Sequence, residues 1–262
     1  PSANECSGAN TTSHSCDVIN LVPPQAAVYL SCIGHLGGNK NLAYYIDDTA
    51  PTDVPAIYDG TENTGVDLDS STSSVSFSAN WEDATDGESG IDNYWYSIGS
   101  SPGASDTVSW KSVNDTVDSI TETGLSLDSG TTYYISIIAQ NPVGDLSGVT
   151  TSDGVLIDAD PPFKTNWSPA TSTILTSSSV SITFDTYLDS GFSTPENAWC
   201  RWSLTDDNRY EDMPSGNECS GGGSSSISCD VSGMSEGAQI VYISCIDELG
   251  NQDIGSTNVE RT

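Results

Sequence analysis

The sequence predicts an all-β chain of tandem β-sandwiches, the N-terminal one incomplete. Short runs that alternate apolar and polar residues are separated by stretches rich in Gly, Ser, Asp and Pro, as half-buried strands joined by turns require. The opening block of 33 residues recurs late in the chain with 17 identities and no gap. Seven cysteines without a CxxC pair read as a disulfide framework in an oxidising compartment, not as a zinc site.

The 262 residues suffice for two or three domains, each with its own core. Only 35% of them are hydrophobic, yet 6 Trp and 11 Tyr argue against disorder. The net charge of −31 stands against six cations: Lys40, Lys111, Lys164, Arg201, Arg209 and Arg261. Such a surface repels phosphate backbones and anionic lipid, which excludes nucleic acid and membrane-surface binding, and it attracts cations. No apolar run approaches the roughly 20 residues that span a bilayer, so no membrane insertion is expected. Pro1 is expected to be an internal or processed start.

The repeat sets the organisation. Pro1-Ser2-Ala3-Asn4-Glu5-Cys6-Ser7-Gly8 returns as Pro214-Ser215-Gly216-Asn217-Glu218-Cys219-Ser220-Gly221, an offset of 213. The same offset carries Val28-Tyr29-Leu30-Ser31-Cys32-Ile33 onto Val241-Tyr242-Ile243-Ser244-Cys245-Ile246. That length suits two sandwiches of roughly 100 residues each. The linkers Tyr45 to Pro51 and Leu156 to Pro162 each combine a strand end, an acidic pair and a proline stop. The expected domains are therefore 1–47, the C-terminal half of a sandwich; 48–160; and 161–262.

In the middle domain, Ser74 to Trp81, Asn93 to Gly99 and Thr132 to Gln140 read as strands, with an acidic loop from Glu82 to Gly90. Leu127, Gly130, Thr131, Tyr133, Ile135, Ile137, Ala139, Asn141 and Gly144 carry a resemblance to the fibronectin type III pattern around its penultimate strand. Trp81 stands where that family places a buried Trp. The resemblance covers residues 48–160 and implies a sandwich whose corner tyrosine, Tyr133, bonds upstream backbone through its hydroxyl. It implies little about function, because this fold is a scaffold with many uses.

Residues 161–262 repeat the layout with cysteines added: Ser179 to Phe184, Trp199 to Leu204 and Ile240 to Ile246 read as strands. Aligned on the middle domain, Cys200 takes the place of Tyr94 and Cys245 that of Ile138, which lie on neighbouring strands of one sheet in that fold. Cys200–Cys245 is the first expected bridge. Cys219 and Cys229 flank a Gly/Ser-rich excursion and are expected to pin a hairpin-like loop. By the repeat, Cys6 pairs with Cys16. Cys32 corresponds to Cys245, and its mate is expected upstream of Pro1; the competing reading is a free reactive thiol. Cys-Arg-Trp-Ser and Cys-Ile-Asp-Glu-Leu-Gly-Asn resemble disulfide-bearing immunoglobulin-like repeats of secreted bacterial and archaeal proteins. The first copy has Gly34-His35 where the second has Asp247-Glu248, so an ion at the second copy would lack its counterpart at the first.

For chemistry, His14 and His35 have no nucleophile in a recognisable motif, and carboxylate pairs are commonplace at this charge; no enzymatic activity is expected. No cofactor is expected, with calcium as the candidate exception. Its candidate ligands are Asp47, Asp48 and Asp53 at one linker, Asp158 and Asp160 at the next, and Asp83, Asp86, Glu88 and Asp92 in the acidic loop. Their bland reading is solvated turn carboxylates. Asn10, Asn114 and Asn166 fit the N-glycosylation rule. Trp81, Trp95 and Trp202 read as packing residues, whereas Trp110, Trp167 and Trp199 are open to a sugar-binding role. The expected function is a structural segment of a repetitive extracellular or cell-surface protein: a stalk, filament, sheath or surface layer. Its partners would be further copies of the repeat in cis, or other subunits of an array. The alternatives are an adhesin or carbohydrate-binding array with a glycan partner, and a non-catalytic accessory region of a secreted hydrolase.

Overall fold

The computed structural model describes residues 47–60, 67–170, 174–188, 194–205 and 209–253. Cys6, Cys16, Cys32, Asn10, His14 and His35, with all of the expected half-domain 1–47 but its last residue, lie outside the described residues. Among those described there are fourteen strands and no helix, hence none that could cross a membrane. They are β1 (Ile57–Asp59), β2 (Ser70–Ser71), β3 (Ser76–Trp81), β4 (Asn93–Gly99), β5 (Val108–Asn114), β6 (Ser119–Thr123) and β7 (Thr132–Gln140). There follow β8 (Thr150–Thr151), β9 (Val155–Ile157), β10 (Phe163–Ser168), β11 (Ser179–Tyr187), β12 (Ala198–Ser203), β13 (Ser226–Ser232) and β14 (Tyr242–Asp247).

Four sheets result, in the orders β1-β3-β6, β2-β9-β7-β4-β5 with β8 paired to β7, β10-β11-β13, and β12-β14. The described residues divide into two compact units. One comprises 47–58, 79–120 and 135–152, the other those of 59–78, 121–134 and 153–253.

In the first unit, alternation along β4 buries Tyr94, Tyr96 and Ile98, while Trp95 is half-buried and its Nε1–H reaches Gln140 Oε1 at 3.0 Å. Trp81 at the end of β3 meets Tyr94 edge to face, with ring centroids 5.7 Å apart. The Tyr94 hydroxyl accepts the Ala84 N–H at 3.0 Å, which ties the acidic loop back to this core. In the second unit, Tyr133 is buried and its hydroxyl accepts the Asp128 N–H at 3.1 Å, five residues upstream.

Within the second unit, β10-β11-β13 and β12-β14 share one apolar cluster. Ile182 and Phe184 come from β11, Ile227, Cys229 and Val231 from β13, and Ala198, Cys200 and Trp202 from β12; Ile243 and Cys245 come from β14. Half-buried Trp167 stacks on Phe184 at 4.3 Å. The cause is period two: β12 presents Ala198, Cys200 and Trp202 to the interior, and their antiparallel partners on β14 are Asp247, Cys245 and Ile243.

Cys200 and Cys245 are thus directly opposite, with Cα atoms 4.1 Å apart, and form a disulfide. A second joins Cys219 to Cys229. Cys219 donates its N–H to the Cys200 carbonyl at 2.9 Å, so its segment runs along β12 while its sulfur reaches β13 in the other sheet. Between Cys219 and Cys229 the chain turns back at Gly221 and Gly223, both with positive φ, and Ser220 pairs with Ser228. Added side chains there would also collide: a Cβ on Gly221 would stand 2.3 Å from the Ser226 carbonyl oxygen.

The bridges span 45 and 10 residues. Loop-closure entropy assigns them about 4 and about 3 kcal/mol respectively. Replacing both Cys200 and Cys245 by Ser should lower the urea midpoint by an amount equal to about 2–4 kcal/mol, with a smaller loss for the Cys219/Cys229 pair. An unchanged midpoint would show that the unfolded chain gains nothing from the opened loop.

Candidate metal centre

Asp158, Glu196 and Asp247 are all buried, and each offers a carboxylate oxygen within 4.8 Å of the other two. Local structure explains each position. Glu196 lies two residues before Ala198, so strand parity turns it to the face that carries Cys200 and Trp202. Its backbone is held by reciprocal bonds with Thr186 on β11: the Glu196 N–H donates at 3.0 Å, and its carbonyl accepts the Thr186 hydroxyl at 2.6 Å. Asp247 ends β14 opposite Ala198.

The turn after Asp247 fixes its carboxylate. Oδ1 accepts the N–H groups of Leu249 and Asn251, each at 2.8 Å. This is the Asx geometry in which an aspartate closes a turn on its own following backbone. Oδ2 is buried without a hydrogen-bond partner. Asp158 follows β9, and its N–H donates to the Ser71 carbonyl at 2.9 Å. Its own carbonyl accepts from the Asn251 side-chain amide at 2.9 Å, and that amide lies 3.4 Å from Asp158 Oδ1.

Glu196 is the outlying member chemically. It is 7% exposed, no N–H or hydroxyl among the described residues reaches either carboxylate oxygen, and its carboxyl lies against that of Asp247. Burial, and then the charges of Asp158 and Asp247, push its pKa up to about 9. Burial and the neighbouring Asp247 push Asp158 up to about 6. The nearby cation is already committed: buried Lys164 pairs with buried Asp253 and lies 3.4 Å from the Ile243 carbonyl. Asp253 also accepts the Cys245 N–H at 3.0 Å.

The other carboxylates singled out in the sequence have different surroundings. Asp160 is exposed and its backbone N–H serves Asp158. Asp47 and Asp86 converge on the Asn141 amide, at 2.9 and 3.3 Å, and the Ser89 hydroxyl also donates to Asp47. Burial opposes the charge of Asp86, but the N–H groups of Ser89 and Glu88 and the Asn141 amide hold its pKa below the usual carboxylate range. Glu88 accepts the Asp48 N–H at 3.1 Å and the Thr49 hydroxyl at 3.0 Å. Asp53, exposed, accepts the Gly148 N–H at 2.7 Å, and Asp83 accepts weakly from Tyr94. These groups close turns and loops with protein donors. A further acidic group, Asp59, Asp67 and Asp153, comes together with only Asp59 buried, and it likewise binds protein N–H groups: Asp67 accepts from Asp59 at 2.7 Å, and Asp59 from Gly154 at 3.1 Å.

Among the glycosylation candidates, Asn114 is exposed at the end of β5, whereas exposed Asn166 donates its amide to Asp185 at 2.9 Å. Trp81 and Trp202 are buried and Trp110 is half-buried. Trp199 is 37% exposed and lies over Gly222 and Gly223. Glu196 was missed in the sequence, although its parity with Cys200 and Trp202 is visible there.

The carboxylates give the metal-free protein a defined pH response. Unfolded, Asp and Glu ionise near 4; folded, Asp158 keeps its proton to about 6 and Glu196 to about 9. The folded state binds more protons throughout that window, so stability falls as pH rises through it. In chelator, the loss between pH 5 and 9 should be on the order of 2–4 kcal/mol, reduced from the full shift by local relaxation. Glu196→Gln should remove most of the slope in denaturation curves and be the more stable protein at pH 8; a wild-type slope in that variant would place the titration elsewhere.

No family model and no curated protein matches this chain. Among solved structures, a chitinase from Bacillus thuringiensis is similar at a TM-score of 0.29 and 19% identity, over 82% of this chain. The chain spans 30% of that chitinase chain's length.

Proposed function

We propose that the chain is a non-catalytic, load-bearing segment of a repetitive extracellular surface protein, built of fibronectin type III-like (48–160) and disulfide-bearing immunoglobulin-like (161–262) sandwiches in tandem. One observation carries this reading: the two bridges are nested. Cys219–Cys229 lies inside the loop that Cys200–Cys245 closes, and all four sulfurs belong to the same buried cluster. Tension along the chain passes from Cys200 to Cys245 through two sulfurs, so β13 and the Gly-rich hairpin carry none of it. An entropic staple of this kind also offsets a modest core, for which a chain 35% hydrophobic has need.

Two disulfides fit a compartment outside the reducing cytoplasm. The high negative charge keeps such chains soluble and apart until ions screen them. The resemblance to surface-protein repeats and the 213-residue echo support further copies as partners in cis or in an array.

Pulling the chain from its ends in a single-molecule instrument tests the reading. Complete unfolding under reducing conditions should release about 150 Å more contour length than under oxidising ones, from 45 residues at about 3.4 Å each. Equal lengths would remove the shielding argument. Antibody raised against residues 161–262 should label intact source cells; labelling only after lysis, or specific retention on a polysaccharide lost in Trp110→Ala or Trp199→Ala, would turn the assignment toward another function.

A further inference from the structure

Three buried carboxylates facing one another need a cation or protons, and among the described residues the nearby cation is committed elsewhere. Lys164 is held by Asp253 and leaves the trio uncompensated. Two features besides acidity point to a ligand. Glu196 is more than nine-tenths buried with both oxygens unpartnered, and Asp247 turns one oxygen to backbone donors while the other is buried and unpartnered. Elsewhere Asp47, Asp86, Glu88 and Asp53 find protein donors, so the want of one at Glu196 is not a general consequence of the charge.

We propose that Asp158, Glu196 and Asp247 bind one calcium ion, clamping the residues after β9 to the approaches of β12 and β14.

The donor set decides the ion class. All three ligands are hard carboxylate oxygens, and the nearby cysteines are consumed in disulfides, which disfavours zinc and softer metals. The three ligand oxygens lie within 4.8 Å of one another, close enough for a small inward movement to bring all of them to one ion at calcium–oxygen distances of about 2.3–2.6 Å. Magnesium demands a tighter octahedron near 2.1 Å and keeps much of its water, a poor match to a buried trio. Asn251 acts as a positioning residue: its side-chain amide donates to the Asp158 carbonyl and lies near its carboxylate, and its backbone N–H donates to Asp247 Oδ1. The ion would join a segment that follows β9 to two points of the disulfide-bearing strand pair. The proposal does not rest on the load-bearing reading and survives its failure.

The test is calcium titration of the full chain by calorimetry, with thermal melts, at constant ionic strength in sodium chloride. A single high-affinity site is expected, together with a rise in Tm of about 5–10 °C at a hundredfold excess over Kd. Glu196→Gln should lose the site and the Tm rise while remaining folded, its metal-free Tm at pH 8 equal to or above wild type. Asp230→Asn, which removes an exposed charge on β13, should bind calcium as wild type does. No response at about 10 mM calcium, far above the weakest extracellular sites, would overturn the proposal. So would an undiminished response in folded Glu196→Gln, which would mean diffuse binding, or an equal response to magnesium.

Discussion

Register between β12 and β14 is the constraint from which the second unit follows. The pairs Ala198–Asp247, Cys200–Cys245 and Trp202–Ile243 place five interior residues and one carboxylate on a single face. A one-residue slip of β14 would turn Ile243, Cys245 and Asp247 to the other face while Cys200 and Trp202 stayed inside, because side chains alternate with period two. The Cys200–Cys245 bond forbids that slip covalently. It also fixes where Glu196 falls, since the same parity extends past the start of β12. Core, staple and acidic trio are therefore one geometric decision made at a single strand pair.

Charge is distributed with the same economy. The chain carries 37 acidic residues, and most can remain at the surface at little cost. The exceptions around β14 fall into two kinds. Asp253 is neutralised by Lys164 and by the Cys245 N–H, so its burial completes a paired network. Asp158, Glu196 and Asp247 lack such a cation among the described residues, and the charge of Asp247 raises the cost of ionising Asp158 and Glu196. A paired acid and an unpaired trio in one neighbourhood differ in what they ask of solvent: the first is complete, the second takes protons or an ion.

Much of this was legible in the sequence, and the limits have physical reasons. Alternation gave the long buried strands: Asn93 to Gly99 and Thr132 to Gln140 match β4 and β7 at both ends. It did not reveal β5, β6, β10 and β13, whose outward positions are polar or exposed aromatic and whose pattern merges with the turns. Cys200 and Cys245 were paired by alignment on the middle domain, and Cys219 and Cys229 by the Gly/Ser-rich excursion they flank, because a disulfide is a pairwise demand that leaves two conspicuous residues. The acidic trio is harder. Asp158 was noticed at a linker and Asp247 as a departure between repeats, but among 37 carboxylates only three-dimensional proximity and burial single out this buried group. Asp47, Asp86 and Glu88 look equally acidic in one dimension, and Asn141 and backbone N–H groups, invisible as partners there, make them structural.

A buried carboxylate group without a counter-charge lowers the stability of the fold that holds it, so something else must over-determine that fold. The staple and the trio meet this requirement on opposite sides of the folding equilibrium. The Cys200–Cys245 bridge acts chiefly by restricting the unfolded chain, a contribution of about 4 kcal/mol that needs no favourable contact in the folded state. The trio acts on the folded state alone, raising its free energy when ionised and unliganded. Because the two contributions are opposite in sign, the bridge allows Glu196 and Asp247 to stay poised beside it instead of driving the strand ends apart. Removing the unfavourable charge with an ion then adds stability to a unit already held together covalently. The outcome is a module whose fold rests on its disulfides and whose stiffness after β9 is left for the surrounding solution to set.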